Sequence, residues 1–237
     1  MNSSRTATLI ILILAFSMVF EAREMRSQGA KTKYGHMAPV EEYLISDRNA
    51  EIALARSAAP ESISHDATVL VLGQHGYETA VAGKNGFVCV VERGWMSPPD
   101  APEFWNPRIR GPICFNPPAA RSVLPTTYKR TEMALAGRTQ AEIIAGNKTA
   151  FARGELPALE PGAMSYMMSK GAYLTDHGDH NLAHLMFYAP PLEAPVWGAD
   201  LPKSPVMLNP QFKGTQPIDV FVVSVGRWSD GTPAPVM

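Results

Sequence analysis

Three of the chain's six histidines fall close together at His177, His180 and His184, with Asp176 and Asp179 beside them. Neutral imidazole rings are common ligands of transition metals, and a neighbouring carboxylate can bind the ion or orient a ring. The cluster therefore predicts a Zn or Cu site, with Asp179 as the fourth ligand or an orienting group beside the three histidines. An ion held there could act as a Lewis acid or activate water.

A loop followed by a strand is expected to position this cluster. The run Asp-His-Gly-Asp-His-Asn at 176–181 is typical of a turn, whereas Met186, Phe187 and Tyr188 are typical of a strand. We therefore expect His184 on the strand face that also carries Met186 and Tyr188. Because this spacing fixes no geometry and lacks the H-E-x-x-H pattern, solvated loop histidines and a packed, hydrogen-bonded His184 are the alternatives to a metal site.

Charge and motif content argue against other classes of ligand. The chain has 21 Lys plus Arg against 22 Asp plus Glu, with no basic run to contact a phosphate backbone. We therefore expect no nucleic-acid partner. Tyr166 and Lys170 have the Y-x-x-x-K spacing of short-chain dehydrogenases, but no G-x-G-x-x-G follows a first strand, so we expect no nucleotide cofactor. No pattern identifies a catalytic residue or a reaction.

The first 30 residues predict export. Residues 7–20 carry no charged side chain, and charges begin at Glu21. This run is shorter than the ~20 apolar residues of a membrane span, and it suits the core of a signal peptide. We expect a signal peptide at 1–30, cleaved between Ala22 and Ala30, a periplasmic or extracellular protein, and no stable membrane span after cleavage. An uncleaved anchor and a buried helix are the alternatives.

The two cysteines, Cys89 and Cys114, can form one disulfide outside the cytosol. Closing the loop between them would stabilise the fold by roughly 3.5 kcal/mol on the chain-entropy estimate. Alternation along the chain also places Phe87, Cys89 and Val91 on one apolar face, where Cys89 could instead be a buried thiol. Spacing alone leaves both alternatives open.

Beyond the signal peptide, residues 31–237 predict a single α+β domain with a mainly antiparallel sheet and a few helices. Short β-rich runs at 67–73, 77–83 and 86–93 are separated by turn residues, including Asn85-Gly86, which predicts an antiparallel three-stranded meander. Further strands are expected at 164–169, 184–188 and 218–225. Helices are expected after Asp47, at 127–135 and after Thr139, and the proline-rich stretch 98–125 predicts an irregular loop.

Loop aromatic residues suggest a different class of function. Trp95, Trp105, Trp197 and Trp228 all lie in Gly- or Pro-rich segments. Exposed rings on rigid loops are good recognition surfaces, so a non-catalytic module that binds an envelope glycan or peptide is the alternative function. The same rings could instead pack over the edges of the sheet. The expected partner is an unidentified small molecule or an envelope component.

Several segments of the sequence resemble a family of uncharacterised exported bacterial proteins. The resemblance covers most of the chain after the leader, and it implies export but no activity or fold. Members of that family often have a loop resembling H-W-H-P-H before an L-M-F strand. The similar segments are 51–60, 70–93, 103–121, 156–170, 184–190, 197–202 and 227–235.

The chain departs from this family pattern inside the loop. It matches at His180 and His184, whereas Leu182 stands where the central histidine would be. The resemblance therefore implies two histidine ligands, completed by Asp179, His177 or the distant His75.

Overall fold

The computed structural model describes residues 34–177, 182–209 and 216–235. The predicted signal peptide lies outside these residues, as do Asp179 and His180 of the histidine cluster. Within the described ranges, no helix combines the length and the apolar character that crossing a membrane requires.

One eight-stranded sheet organises the described part of the chain, in the order β2-β1-β3-β4-β5-β6-β8-β7. All neighbouring strands are antiparallel except β1 and β3. The predicted α+β class with a mainly antiparallel sheet is therefore confirmed. The strands are β1 Thr68–Gly73, β2 Gly76–Val81, β3 Val88–Glu92, β4 Gly111–Phe115, β5 Met164–Met167, β6 His184–Ala189, β7 Val206–Leu208 and β8 Asp219–Ser224.

The helices begin where the sequence supplies capping side chains or proline. The Asp47 side chain accepts a hydrogen bond from the Asn49 amide at 2.8 Å, and Thr139 and Glu142 form the predicted capping box. The helices are α1 Arg48–Arg56, α2 Glu61–Ser64, α3 Pro117–Ser122, α4 Leu124–Leu135 and α5 Gln140–Ala152, and 3-10 turns span Val40–Glu42, Gly94–Met96 and Ala194–Trp197.

The predicted antiparallel meander is wrong at its third strand, because β3 pairs with β1 in parallel. After the β1–β2 hairpin, the chain is again beside the first residues of β1. Residues 82–87 then pass over this end of β1, so that β3 pairs with the edge of β1 opposite β2. The Lys84 amide bonds to the Asp66 carbonyl at 2.9 Å on the way. Gly83 permits the crossing, since a Cβ there would lie 2.1 Å from the Thr68 nitrogen. Asn85-Gly86 therefore belongs to a crossover and not to a hairpin turn.

The proline-rich stretch 98–125 is only partly the irregular loop that its composition predicts, because β4 and α3 lie within it. Pro112 pairs with Val91 on β3, and the β4–β5 pairing begins only at Cys114. Pro117 occupies the first turn of α3, where a missing N–H breaks no helical hydrogen bond. These prolines thus occupy positions whose amide donors the fold does not need.

Of the two alternatives left open for the cysteines, the disulfide is present. Cys89 on β3 and Cys114 on β4 are directly opposite in the register, with their Cα atoms 4.0 Å apart. Both are fully buried on the face of the sheet that α1 covers, where they pack with Ala55 and Val69. The bond therefore joins two central strands inside the core.

A buried ion pair fixes α1 against the same strands. Arg93, just after β3, is 0% exposed and donates from Nη2 to Glu51 Oε1 at 2.8 Å, and Glu51 on α1 is 1% exposed. The same carboxylate oxygen accepts the Leu72 amide, and Arg93 Nε donates to the Tyr43 carbonyl. The pair therefore links α1, the end of β1 and the end of β3.

Candidate functional site

A cavity of about 550 Å³ lies on the face of the sheet opposite α1. Because side chains alternate along a strand, Glu92 points away from the face that carries Cys89 and Val91. The floor is formed by residues of six strands, and the segment 96–98 contributes to the walls. The floor residues are Glu92, Gly111, Met167, His184, Met186, Met207, Val222 and Ser224.

A glycine creates room in the middle of this floor. Gly111 is the β4 partner of Glu92, and a Cβ there would lie 3.6 Å from both Glu92 Cβ and Met167 Cε. These are ordinary contact distances, so a larger side chain would enter the cavity without striking the backbone. Gly111 is therefore a position at which the cavity can be filled by substitution.

His184 starts β6, as the sequence predicts, and lines the cavity together with Met186. Its Nδ1 lies 2.7 Å from the Leu182 carbonyl oxygen. Since a carbonyl only accepts hydrogen bonds, Nδ1 carries the proton and Nε2 keeps the lone pair of the neutral ring. Burial lowers the pKa of His184, which favours this neutral form. The predicted hydrogen-bonded His184 is present, and its Nε2 is the nitrogen that could accept a donor or bind an ion.

The structure places the other members of the histidine cluster only in part. His177 is exposed, while Asp179 and His180 lie outside the described residues. Among the residues that are described, no three His, Cys, Asp or Glu side chains are arranged to hold a metal ion. The predicted four-residue metal site stays a prediction.

His75 is not a partner for His184. It lies in the turn between β1 and β2, whereas His184 begins β6. Four inter-strand steps separate β1 from β6, which is about 19 Å at the usual strand spacing. The suggestion that His75 completes a two-histidine arrangement is therefore wrong.

Asp176 anchors the N-terminal end of the histidine loop, the segment 176–184. Its Oδ1 accepts the Tyr173 hydroxyl at 2.7 Å and the Asn106 side-chain amide at 3.0 Å. The hydrogen bond to Asp176 raises the pKa of Tyr173. Because His184 is fixed in β6 at the other end, both ends of the segment 176–184 are anchored beside the cavity.

A smaller cavity of about 70 Å³ adjoins the large one, because Glu92, Met96 and Met186 line both. The Thr127 hydroxyl of α4 donates to Glu92 Oε1 at 2.7 Å. Burial raises the pKa of Glu92 to about 7, against the opposing effects of that hydrogen bond and of Arg130. The Glu92 carboxyl is thus largely protonated below neutral pH.

Arg130 of α4 lines the small cavity and is 4% exposed. Its Nη2 donates to the Ser97 carbonyl at 3.0 Å, and its guanidinium lies 5.5 Å from the centre of the Phe104 ring. Within the described ranges, its buried Nε has no hydrogen-bond partner. Burial lowers the pKa of Arg130 to about 10, so the side chain is still a cation at neutral pH.

Sequence reasoning missed Glu92, Arg130 and Ser224. A signal existed for two of them, because Glu92 and Ser224 end apolar strands on the inward-facing positions set by Val90 and Val222. Polar side chains at such positions are candidates for a site. Nothing in the local pattern around Arg130 distinguishes it from a solvated helical arginine.

The loop aromatic residues separate into two groups. Trp95 and Trp105 are buried in a core cluster, which confirms packing for these two and removes them from any recognition surface. Trp197 is 38% exposed and stacks on Phe221 with ring centres 4.5 Å apart, and Trp228 is half-buried.

Comparison of the chain with protein families, with curated proteins and with solved structures finds no match. The resemblance to exported bacterial proteins stays a prediction. The functional conclusion therefore depends on the geometry of the cavity.

The unusual pKa of Glu92 predicts how stability changes with pH. The unfolded chain releases this proton near pH 4.5 and the folded chain near pH 7, so the folded state holds more protons in between. The free energy of unfolding should fall as pH rises through that window. Each pKa unit is worth about 1.4 kcal/mol, so we expect a loss of roughly 1–3 kcal/mol.

Urea unfolding of the wild type and of Glu92→Gln at about pH 5 and about pH 7.5 measures this loss. The variant has no carboxyl at this position, so its stability should fall less than that of the wild type over the same interval. Equal pH dependence in the two proteins would contradict the assignment.

Proposed function

We propose that this is an exported protein that binds a small, mainly apolar molecule in the large cavity. Ligand sites usually measure about 300–1,000 Å³ and are apolar with a few polar groups, which matches this cavity of about 550 Å³. The observation that carries the proposal is the pairing of His184 with Ser224 in the floor of the cavity. Ser224 Oγ is buried and has no hydrogen-bond partner within the described ranges.

This pair gives the apolar cavity a polar end. His184 and Ser224 are directly opposite on β6 and β8, so their Cβ atoms are about 5 Å apart on the same face. The hydroxyl can donate, and His184 Nε2 can accept. A ligand hydroxyl or amide, which offers both an acceptor and a donor, suits such a pair.

The disulfide supports the exported location, because structural disulfides persist mainly in oxidising compartments. Fractionation of producing cells and N-terminal sequencing of the purified protein test this part. We expect a periplasmic or secreted protein whose first residue lies between positions 23 and 31. An intact chain beginning at Met1 in the cytosol would overturn it.

Filling the cavity tests the binding function. Gly111→Val should fold, because its Cβ meets only side chains at ordinary distances, but it should weaken binding of the neutral fluorophore phenylnaphthylamine by about tenfold or more. Fluorescence titration measures the affinity, and circular dichroism checks the fold.

Gly73→Val is the matched control. Gly73 is also a strand glycine at which a Cβ meets its neighbours at 3.5 Å or more, but it lies in β1, away from the cavity. This variant should bind like the wild type. Equal loss in both variants, or no binding by the wild type, would refute the cavity as a ligand site.

A metal site in the histidine loop is a second candidate. It is supported by the hydrogen bond from His184 Nδ1 to the Leu182 carbonyl, which is the usual way in which a ligating imidazole is oriented. The anchored Asp176 supports it as well. The proposed ligands are still His177, His180, His184 and Asp179, with Zn or Cu as the ion.

Equilibrium dialysis of untagged protein against Zn or Cu tests this second candidate. We expect one bound ion per chain, lost in His180→Ala and in His184→Ala and retained in His65→Ala, which removes an exposed histidine outside the loop. Retention of the ion in all three variants would exclude the loop as its site.

If the protein instead recognises an envelope glycan or peptide, Trp197 and Trp228 are the loop tryptophans that remain as candidate contacts.

A further inference from the structure

We propose that the small cavity between β3 and α4 is a carboxylate subsite, in which Arg130 binds the acid group of a ligand whose apolar body fills the large cavity. This inference rests on the proposed ligand-binding function. It names the ligand class as small organic acids with an apolar chain or ring. The two cavities share Glu92, Met96 and Met186, so one molecule can occupy both.

Arg130 is a buried cation that could bind an anion. A guanidinium has five N–H donors and no acceptor, and it is buried here with Nε unpartnered in the part of the chain that is described. Its contacts with the Ser97 carbonyl and the Phe104 ring satisfy only part of the group. A carboxylate matches the fork of an arginine with two acceptor oxygens, which is why such pairs are common in buried recognition sites.

Glu92 does not pair with Arg130 in the described part of the chain. No Glu92–Arg130 hydrogen bond or ion pair is present among the described residues, and Glu92 Oε1 is instead bonded to Thr127. Below neutral pH the carboxyl is largely protonated, so it does not neutralise Arg130 and can donate its proton to a ligand carboxylate. Above neutral pH, its own negative charge competes with the ligand for Arg130.

The other titratable groups described around the subsite do not neutralise Arg130. Tyr188 of β6 is bonded to Ser165, and burial raises its pKa far above neutral. The guanidinium of Arg93 is bonded to Glu51 on the α1 side. His184 lines only the large cavity. Among the described residues, Arg130 is therefore the charge that faces the small cavity below neutral pH.

The volume of the subsite sets the size of the group that it takes. A space of about 70 Å³ holds a few groups of the size of water, which suits a carboxylate and excludes a ring. The ring or chain must then lie over Met186 in the large cavity.

The test compares two probes of the same shape, naphthaleneacetate and naphthaleneacetamide, as competitors of phenylnaphthylamine. At about pH 6 the acid should bind the wild type about tenfold or more tighter than the amide. At about pH 8.5 Glu92 is ionised, and the acid should lose most of that advantage while the amide is unchanged.

Three variants separate a carboxylate subsite from a merely structural arginine. Arg130→Gln should abolish the preference for the acid and leave amide binding intact, and Arg130→Lys, which keeps the charge, should restore part of it. Glu92→Gln should keep the preference but lose its pH dependence. Arg138→Gln removes an exposed arginine of the loop after α4 and should behave like the wild type.

Each negative result has a distinct meaning. If the amide binds and responds to Gly111→Val but the acid binds no better, the carboxylate subsite is refuted and the ligand-binding function stands. If neither compound displaces phenylnaphthylamine, and that fluorophore itself does not bind, the ligand-binding function fails as well. If Arg130→Gln does not fold, the pH dependence in Glu92→Gln still decides.

Discussion

Replacing Glu51 by Ala is expected to lower the free energy of unfolding by about 3–5 kcal/mol, because it leaves the guanidinium of Arg93 buried without an anion. Both side chains are almost completely inaccessible to solvent. The carboxylate oxygen that accepts Arg93 Nη2 also accepts the Leu72 amide, so its removal strands two buried donors at once. Urea unfolding followed by circular dichroism measures the change.

An exposed ion pair of similar geometry provides the control. Arg121 and Glu160 are bonded at 2.6 Å, but their side chains are 60% and 39% exposed. Because solvent screens such pairs, Glu160→Ala should change the free energy of unfolding by less than about 1 kcal/mol. Similar losses for Glu51→Ala and Glu160→Ala would show that burial does not control the energetics of the Glu51–Arg93 pair.

Removing the disulfide is expected to have the next largest effect. The bond closes a loop with a sequence separation of 25, so Cys89→Ala combined with Cys114→Ala should lower the free energy of unfolding by roughly 3.5 kcal/mol. Small losses of packing add to this, because both sulfurs lie in the cluster that α1 covers. Unfolding with and without a thiol reductant measures the effect directly.

The reductant should destabilise the wild type to about the level of the double variant and leave the double variant unchanged. A single replacement, Cys114→Ala, should be about as destabilising as the double one, because either cysteine alone cannot close the loop. If the wild type is insensitive to the reductant even after unfolding in its presence, the disulfide contributes nothing to stability.

The elements of this fold were predictable where their determinants are local. The Asp47 cap and the Thr139–Glu142 box each act within one helical turn, and the starts of these two helices were predicted correctly. The helix predicted at 127–135 begins earlier, at Leu124. The parallel pairing of β1 with β3 was not predicted. It depends on the close fit of Gly83 against Thr68, and the turn composition of residues 84–86 does not reveal this contact.

The candidate site shows the same division between local and distant information. The position of His184 at the start of a strand, facing the side of Met186, follows from alternation, and the structure has it. The meeting of Glu92, Arg130 and Ser224 depends on the order of the strands and on the packing of α4. Such convergence has no signature in the spacing of the residues along the chain.

The crossover between β2 and β3 also constrains how the gene can diverge. If a residue inserted just before Val88 displaced β3 by one position against β1, the faces of the strand would be inverted, because side chains alternate along a strand. Cys89 would then turn away from the α1 side, and Glu92 would turn toward it. One inserted residue would thus disturb both the disulfide and the proposed carboxylate subsite. Related sequences should therefore vary in length at other loops and keep this crossover constant.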